Sequence, residues 1–278
     1  MKEVLFCAVL LAAFACAHAG DTPASAVVPP RQASAPSAIR LSDEEALSVG
    51  KKIWQNECSG TVDGLTHWNK GEAFASLGIG HFIWYPAGTT GPFTESFPGL
   101  LKALQSSGVA LPDWLKGNPS CPWPDKEAFF ADFRGPRLTE LRGILAGTVA
   151  VQARYAADRL QDALPKILAA APEADRPALR ARFDRVAAAA NGVYALMDYV
   201  NFKGEGTSPT ERYKGQGWGL LQVLEGMADA APGQPSVEAF AQSADAALTR
   251  RAANCPPERN DAFWLPNWRR RLGTYLEK

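Results

Sequence analysis

Between Ser59 and Gly91 the chain cannot stay helical. Gly60, Gly64, Gly71, Gly78, Gly80, Gly88 and Gly91 interrupt it every few residues, and each glycine inside a helix costs about 1 kcal/mol relative to alanine. The apolar runs between them, residues 74–77 and 82–85, have strand length. Tight turns and short strands satisfy both constraints. The flanks have the opposite character. Ser42 followed by Glu45 is a capping-box pattern that opens a helix through Ala46, Val49, Ile53 and Trp54 to about Glu57. After the glycine-rich stretch, helical spacing returns over 93–106 with Phe93, Phe97, Leu100, Leu101 and Leu104. A Pro/Trp-rich connector at 111–124 leads into Ala-rich amphipathic segments. These cover 126–133, 137–164, 176–199, 215–230, 236–253 and 261–276. The pattern predicts a predominantly α-helical α+β fold, with a small β lobe set against a helical body and a cleft between them.

Charge narrows the function classes. The 278 residues carry 29 Lys+Arg against 29 Asp+Glu. A balanced chain lacks the basic excess expected of a nucleic-acid binder and has no long-range pull toward anionic surfaces. The 8 Trp and 13 Phe are a large aromatic stock for a core and for a binding site.

The first 19 residues read as an export signal: Lys2, an apolar run over 4–17, and Ala17-His18-Ala19 as a small-x-small cleavage pattern. That run is too short for a stable membrane span. Residues 20–40 are Ala/Ser/Pro-rich and read as a flexible leader, with one domain following over 41–278. The expected product is exported, periplasmic or secreted, without stable membrane insertion. Cleavage would leave Cys58, Cys121 and Cys255, and export makes a disulfide among them an expectation, pairing open. With His67 and His81 the only remaining histidines and no CxxC motif, no metal site is expected.

Two segments carry chemistry-bearing residues. In the first, residues 54–85, Glu57 ends the opening helix and Ser76-Leu77-Gly78-Ile79-Gly80-His81 follows. A helix-terminal carboxyl partly desolvated beside Trp54 would have a raised pKa suited to a general acid. Asp63, Glu72 and Glu95 are further carboxylates that could face it. Paired carboxylates in an aromatic-walled cleft are the requirement of glycoside hydrolysis, which needs no metal or organic cofactor. Cys58 and His81 also form a conceivable thiol dyad, against the commoner role of an exported cysteine as half a disulfide. In the second segment, residues 199–222, Asn201, Lys203, Glu205, Tyr213, Gln216, Trp218 and Gln222 lie among five glycines. Amides there suit sugar hydroxyls and aromatic faces suit sugar rings; alternatively this is a solvated connection with Trp218 in the core.

The first segment resembles the N-terminal lobe of phage-type lysozymes, glycoside hydrolase family 24. In that family a Glu ends the first helix and a hairpin with an Asp and then a Thr closes on Gly-Ile-Gly-His. The resemblance covers about 30 residues and implies a lysozyme-like fold. It gives Glu57 the acid role, Ser76 the water-positioning place of the Thr, and His81 conformational support of the lobe. Lys70 stands where the family has its Asp, and Glu57 precedes His81 by 24 positions, a few more than the family spacing. Glu72 or Asp63 could substitute, or a single Glu could suffice, as in lytic transglycosylases. Glu205 is the alternative catalytic carboxylate. The run Trp264 to Arg271 loosely resembles the closing Arg-pair helix of those lysozymes; an Arg-rich face paired with acidic neighbours is the simpler reading. The resemblance implies cleavage of peptidoglycan or another amino-sugar polymer, by hydrolysis or by anhydro-forming lysis. A chitosanase-like hydrolase and a non-catalytic glycan-binding protein are the alternatives.

Overall fold

The computed structural model describes residues 39–117 and 119–277. The expected export signal and nearly all of the expected leader lie outside the described residues.

Helix α1 (Asp43–Cys58) begins as its cap dictates. Ser42 Oγ accepts from the Glu45 amide at 3.2 Å while the Ser42 amide donates to Glu45 Oε2 at 2.9 Å. The helix ends at Ser59, whose φ of 53° is left-handed. Its buried face, Ala46, Gly50, Ile53 and Cys58, lies on the long helix α5 (Val149–Ala169). The backbones approach closely at Gly50, where a Cβ would come within 2.6 Å of Val149 Cγ1.

The glycine-rich stretch forms a three-stranded antiparallel sheet in the order β1 (Thr66–His67), β2 (Ala75–Leu77), β3 (Phe82–Trp84). The register pairs His67 with Ser76 and Ser76 with Ile83. The β2–β3 turn is Gly78-Ile79-Gly80-His81, with left-handed φ of 73° at Gly78 and 48° at His81. Buried Gln152 of α5 fixes it: Gln152 Oε1 accepts from the Ile79 amide at 3.0 Å, and its Nε2 donates to Leu145 O at 2.6 Å. Gly78→Ala would be strained twice, by its φ and by a Cβ placed 2.4 Å from Gln152 Oε1. A loss of roughly 2–4 kcal/mol in urea unfolding is expected, because overpacking adds to the backbone term; an unchanged midpoint would refute this account of the turn.

Among the described residues, the regular structure after the sheet is helical except for one hairpin. In order come α2 (Phe97–Ser106), α3 (Lys126–Ala131), α4 (Pro136–Gly147), α5 (Val149–Ala169), α6 (Arg176–Ala187) and α7 (Gly192–Lys203). Then follow β4 (Arg212–Tyr213), β5 (Gln216–Gly217), α8 (Leu220–Gly226), α9 (Gln234–Asn254) and α10 (Asp261–Gly273). The chain is therefore predominantly helical with a small antiparallel sheet.

Four sequence expectations of helix boundaries need correction. The helix expected from Phe93 begins only at Phe97, with Pro98 in its first turn. Residues 137–164 are not one helix: Thr148 leaves helical geometry and separates α4 from α5. Residues 176–199 split at Asn191, whose φ is 60°, and Gly192 passes so close to Val186 O that no Cβ fits. The helix expected from 215 begins only at Leu220, because Lys214 and Gly215, both at positive φ, turn the β4–β5 hairpin instead.

Most of the aromatic stock goes to the core. Trp84 lies 4.6 Å from Phe97 and 6.2 Å from Trp123 by ring centroids, and Trp123 lies 5.2 Å from Phe129. Cys58, Cys121 and Cys255 are free thiols, so the expected disulfide is not formed. Among the described residues no helix is long and apolar enough to cross a membrane.

Candidate functional site

A cleft of about 740 Å3 opens between the β lobe and the helical body. One wall is the 80–83 turn and strand with residues 92–96; the other is α5, the end of α7 and the loop after it. Glu57, at the end of α1, and Arg251 of α9 also line it.

Glu57 is the centre of its polar network. Its Oε1 accepts from Arg271 Nη2, and its Oε2 lies 3.3 Å from His81 Nδ1. Arg271 comes from α10 and is held by Asp198 of α7, with Nε to Oδ2 at 2.8 Å and Nη2 to Oδ1 at 2.9 Å. Asp198 is fully buried and takes two more donors, Tyr275 Oη at 2.7 Å and Asn56 Nδ2 at 3.1 Å. The Phe202 ring lies 4.2 Å from the Arg271 guanidinium.

This network reverses the expected shift at Glu57. Burial alone raises a carboxyl pKa, but here the hydrogen bonds and charges of His81 and Arg271 outweigh burial and hold Glu57 at about 2. Its folded pKa lies below its ordinary 4.5, so its contribution to stability is present above about pH 4.5 and disappears as pH falls toward 2. That contribution, about 3 kcal/mol by linkage, should appear as a steep acid limb in unfolding curves. The limb should be shallower in Glu57→Gln, and identical limbs would contradict the network.

The thiol dyad fails on the same ground of burial. Cys58 Sγ is 3.7 Å from His81 Nε2, but desolvation and the Glu57 charge push its pKa to about 12, so it stays a neutral thiol.

Of the residues singled out by sequence, Glu57, His81, Asn201, Lys203 and Glu205 line the cleft. Glu205 pairs with Lys166 at 2.8 Å. The others do not line it. Asp63 faces α4, gripped by Arg134 through both oxygens at 3.1 and 2.8 Å, with Arg142 at 3.7 Å. Glu72 stays in the β1–β2 loop and accepts from Asn69 Nδ2 at 3.0 Å. Ser76 sits on the central strand and is buried. Lys70 is on the exposed turn between β1 and β2. Tyr213 and Trp218 pack together at 4.5 Å, and Trp218 stacks 4.1 Å from Arg251, so these rings support a cleft residue from behind. Gln216 is exposed on the hairpin and meets Asn254.

Sequence reasoning missed several cleft residues. Phe93 lies outside α2, 57% exposed at the cleft, with its ring edge-on to Phe74 at 5.8 Å between centroids. Thr207, Ser208 and Thr210 bring hydroxyls from the loop after α7. Glu211 adds a half-buried carboxyl, accepting from the Gly206 amide at 2.7 Å and raised in pKa by burial. Lys203 was among the polar residues of the second segment; what the sequence did not show is that it is buried at the end of α7, where burial with the nearby Arg251 and Arg271 charges lowers its pKa to about 6. The signal for Arg271 was present in the Arg269–Arg271 string, but nothing local marks which arginine turns inward. Among the described residues no group of three or more His, Cys, Asp or Glu is placed to hold a metal ion.

Searches against protein-family models, curated proteins and solved structures found no match to this chain.

Proposed function

We propose that this chain is a glycan-cleaving enzyme of lysozyme-like type that acts on peptidoglycan, with Glu57 as the proton-transferring carboxyl. The observation that carries the reading is the Glu57–His81 pair on the wall of a cleft wide enough for a sugar chain. In support, the cleft offers an exposed ring at Phe93, an amide at Asn201 and the loop hydroxyls, which suit a neutral polyol backbone.

In this reading Glu57 rests as a carboxylate and must gain a proton before it can donate one to the glycosidic oxygen. His81 Nδ1, 3.3 Å away, is the adjacent group for that transfer. Arg271 keeps Asp198 as its second partner, so it can release Glu57 to a seated sugar without losing its own counter-charge. Release by Arg271 leaves burial to favour the protonated carboxyl, with the proton supplied by His81 and none taken from solvent. A second carboxylate, where the reaction uses one, comes from Glu205 or Glu211, which line the same cleft, in place of Glu72 or Asp63. Export of the chain and a chitosan-type substrate belong to the same proposal, the latter as its alternative.

One observation favours the second reading, a non-catalytic glycan-binding protein. A carboxyl held at about 2 by Arg271 and His81 is a poor resting acid. The test is digestion of isolated peptidoglycan by residues 20–278 and by Glu57→Gln, with products weighed by mass spectrometry. Reducing-end muropeptides, lost in the variant, indicate hydrolysis; 1,6-anhydro ends indicate transglycosylase-type lysis. Binding without soluble product from either protein moves the assignment to the binding reading.

A further inference from the structure

We infer that the cleft holds a carboxylate-binding subsite at Lys203, so that the glycan it takes is an acidic one, a muropeptide with free stem-peptide carboxyls. This rests on the peptidoglycan reading above and names the part of the substrate recognised beside Glu57.

The argument begins with what Lys203 lacks. The residue is 8% exposed and lines the cleft. Its Nζ sits 3.6 Å from the Trp268 ring centroid and 3.8 Å from that of Phe202, and no acceptor among the described residues bonds it. A buried ammonium is ordinarily paired, because leaving it unpaired costs several kcal/mol. Every charged group that faces it is already engaged. From α1, Glu57 is held by Arg271 and His81. From α10, Arg271 is shared between Glu57 and Asp198, and Asp261 is bound to Arg251 of α9 at 2.8 Å. Across the cleft, Glu205 belongs to Lys166 and Glu211 to the Gly206 amide. The amine is thus a largely buried donor between two aromatic rings, on a residue that lines the cleft, with every nearby carboxylate held by another group.

Burial and the two neighbouring guanidiniums hold the free amine at about 6, so near neutral pH it is mostly uncharged. A carboxylate seated on it stabilises the ammonium. Acidic ligand therefore binds together with a proton drawn from solvent, and a neutral ligand does not.

The test is isothermal titration near neutral pH in buffers of different ionisation enthalpy. The probes are a disaccharide muropeptide with free carboxyls and the same molecule with its carboxyls amidated. Wild-type protein is expected to prefer the acidic probe by roughly ten- to hundredfold, the worth of a charge-assisted hydrogen bond, and to take up a proton with it alone. Lys203→Met keeps the packing on Trp268 and Phe202; it should lose both the preference and the proton uptake while binding the amidated probe unchanged. Lys203→Arg, charged throughout, should keep the preference and lose the uptake, and it decides the matter should the Met variant not fold. Equal affinities for the two probes, or proton uptake that persists in Lys203→Met, would overturn the subsite. The disaccharide lacks the bond between repeating units, so binding is read apart from cleavage. Cleavage without carboxylate preference removes this inference alone, and preference without cleavage removes the enzyme reading alone.

Discussion

Asp198→Ala is expected to destabilise the protein by about 3–5 kcal/mol, the usual consequence of removing one partner from a buried ion pair. The carboxylate is fully buried and collects four donors, two from Arg271 and one each from Tyr275 and Asn56. Without it, Arg271 keeps only Glu57, and the Tyr275 hydroxyl loses its acceptor in the core. Asp198→Asn should cost less, since an amide oxygen still accepts, but it brings a donor toward the guanidinium and cannot balance its charge. Chemical denaturation of the two variants checks the order. An Asp198→Ala loss of under about 1 kcal/mol would put the pair on the scale of a surface ion pair and discard the role assigned to it.

Glu57→Gln is expected to lower peptidoglycan cleavage about 10²–10⁴-fold, the range for loss of a general acid. The amide has nearly the shape of the carboxyl, but its one oxygen can accept from only one of His81 and Arg271, and it has no acidic proton to transfer. Its stability should fall by about 2–3 kcal/mol at neutral pH, because the variant resembles the protonated carboxyl that the network disfavours. Activity must therefore be read per folded molecule, with the fraction folded taken from circular dichroism. A variant that binds muropeptide normally and cuts at the wild-type rate would remove Glu57 from the chemistry and turn attention to Glu205 and Glu211, the other carboxylates of the cleft.

Local structure was legible wherever its cause is local. The Ser42–Glu45 capping box is a contact between residues three apart, and the glycines at 78 and 80 mark a turn that few other residues could make. The helix break at Thr148 was not legible, because the apolar spacing continues across it. The break at Asn191 has a local mark, the turn dipeptide Asn191-Gly192, and Gly192 passes against Val186 O six residues earlier, where no side chain fits.

The candidate site divides in the same way. The sequence by itself determined that Glu57 ends a helix, that a glycine turn carrying His81 follows, and that the body is helical, since each depends on near neighbours along the chain. Only the tertiary structure decided the company Glu57 keeps. Arg271 lies 214 residues away in sequence, and no periodicity predicts that it, and not Arg269 or Arg270, turns inward. The same holds for Asp63, captured by Arg134, and for Lys203, enclosed between Trp268 and Phe202. Charge in a folded protein is set by burial and by partners from other elements, so the proton affinities of Glu57 and Lys203 belong to the assembled cleft and to no single segment of the chain.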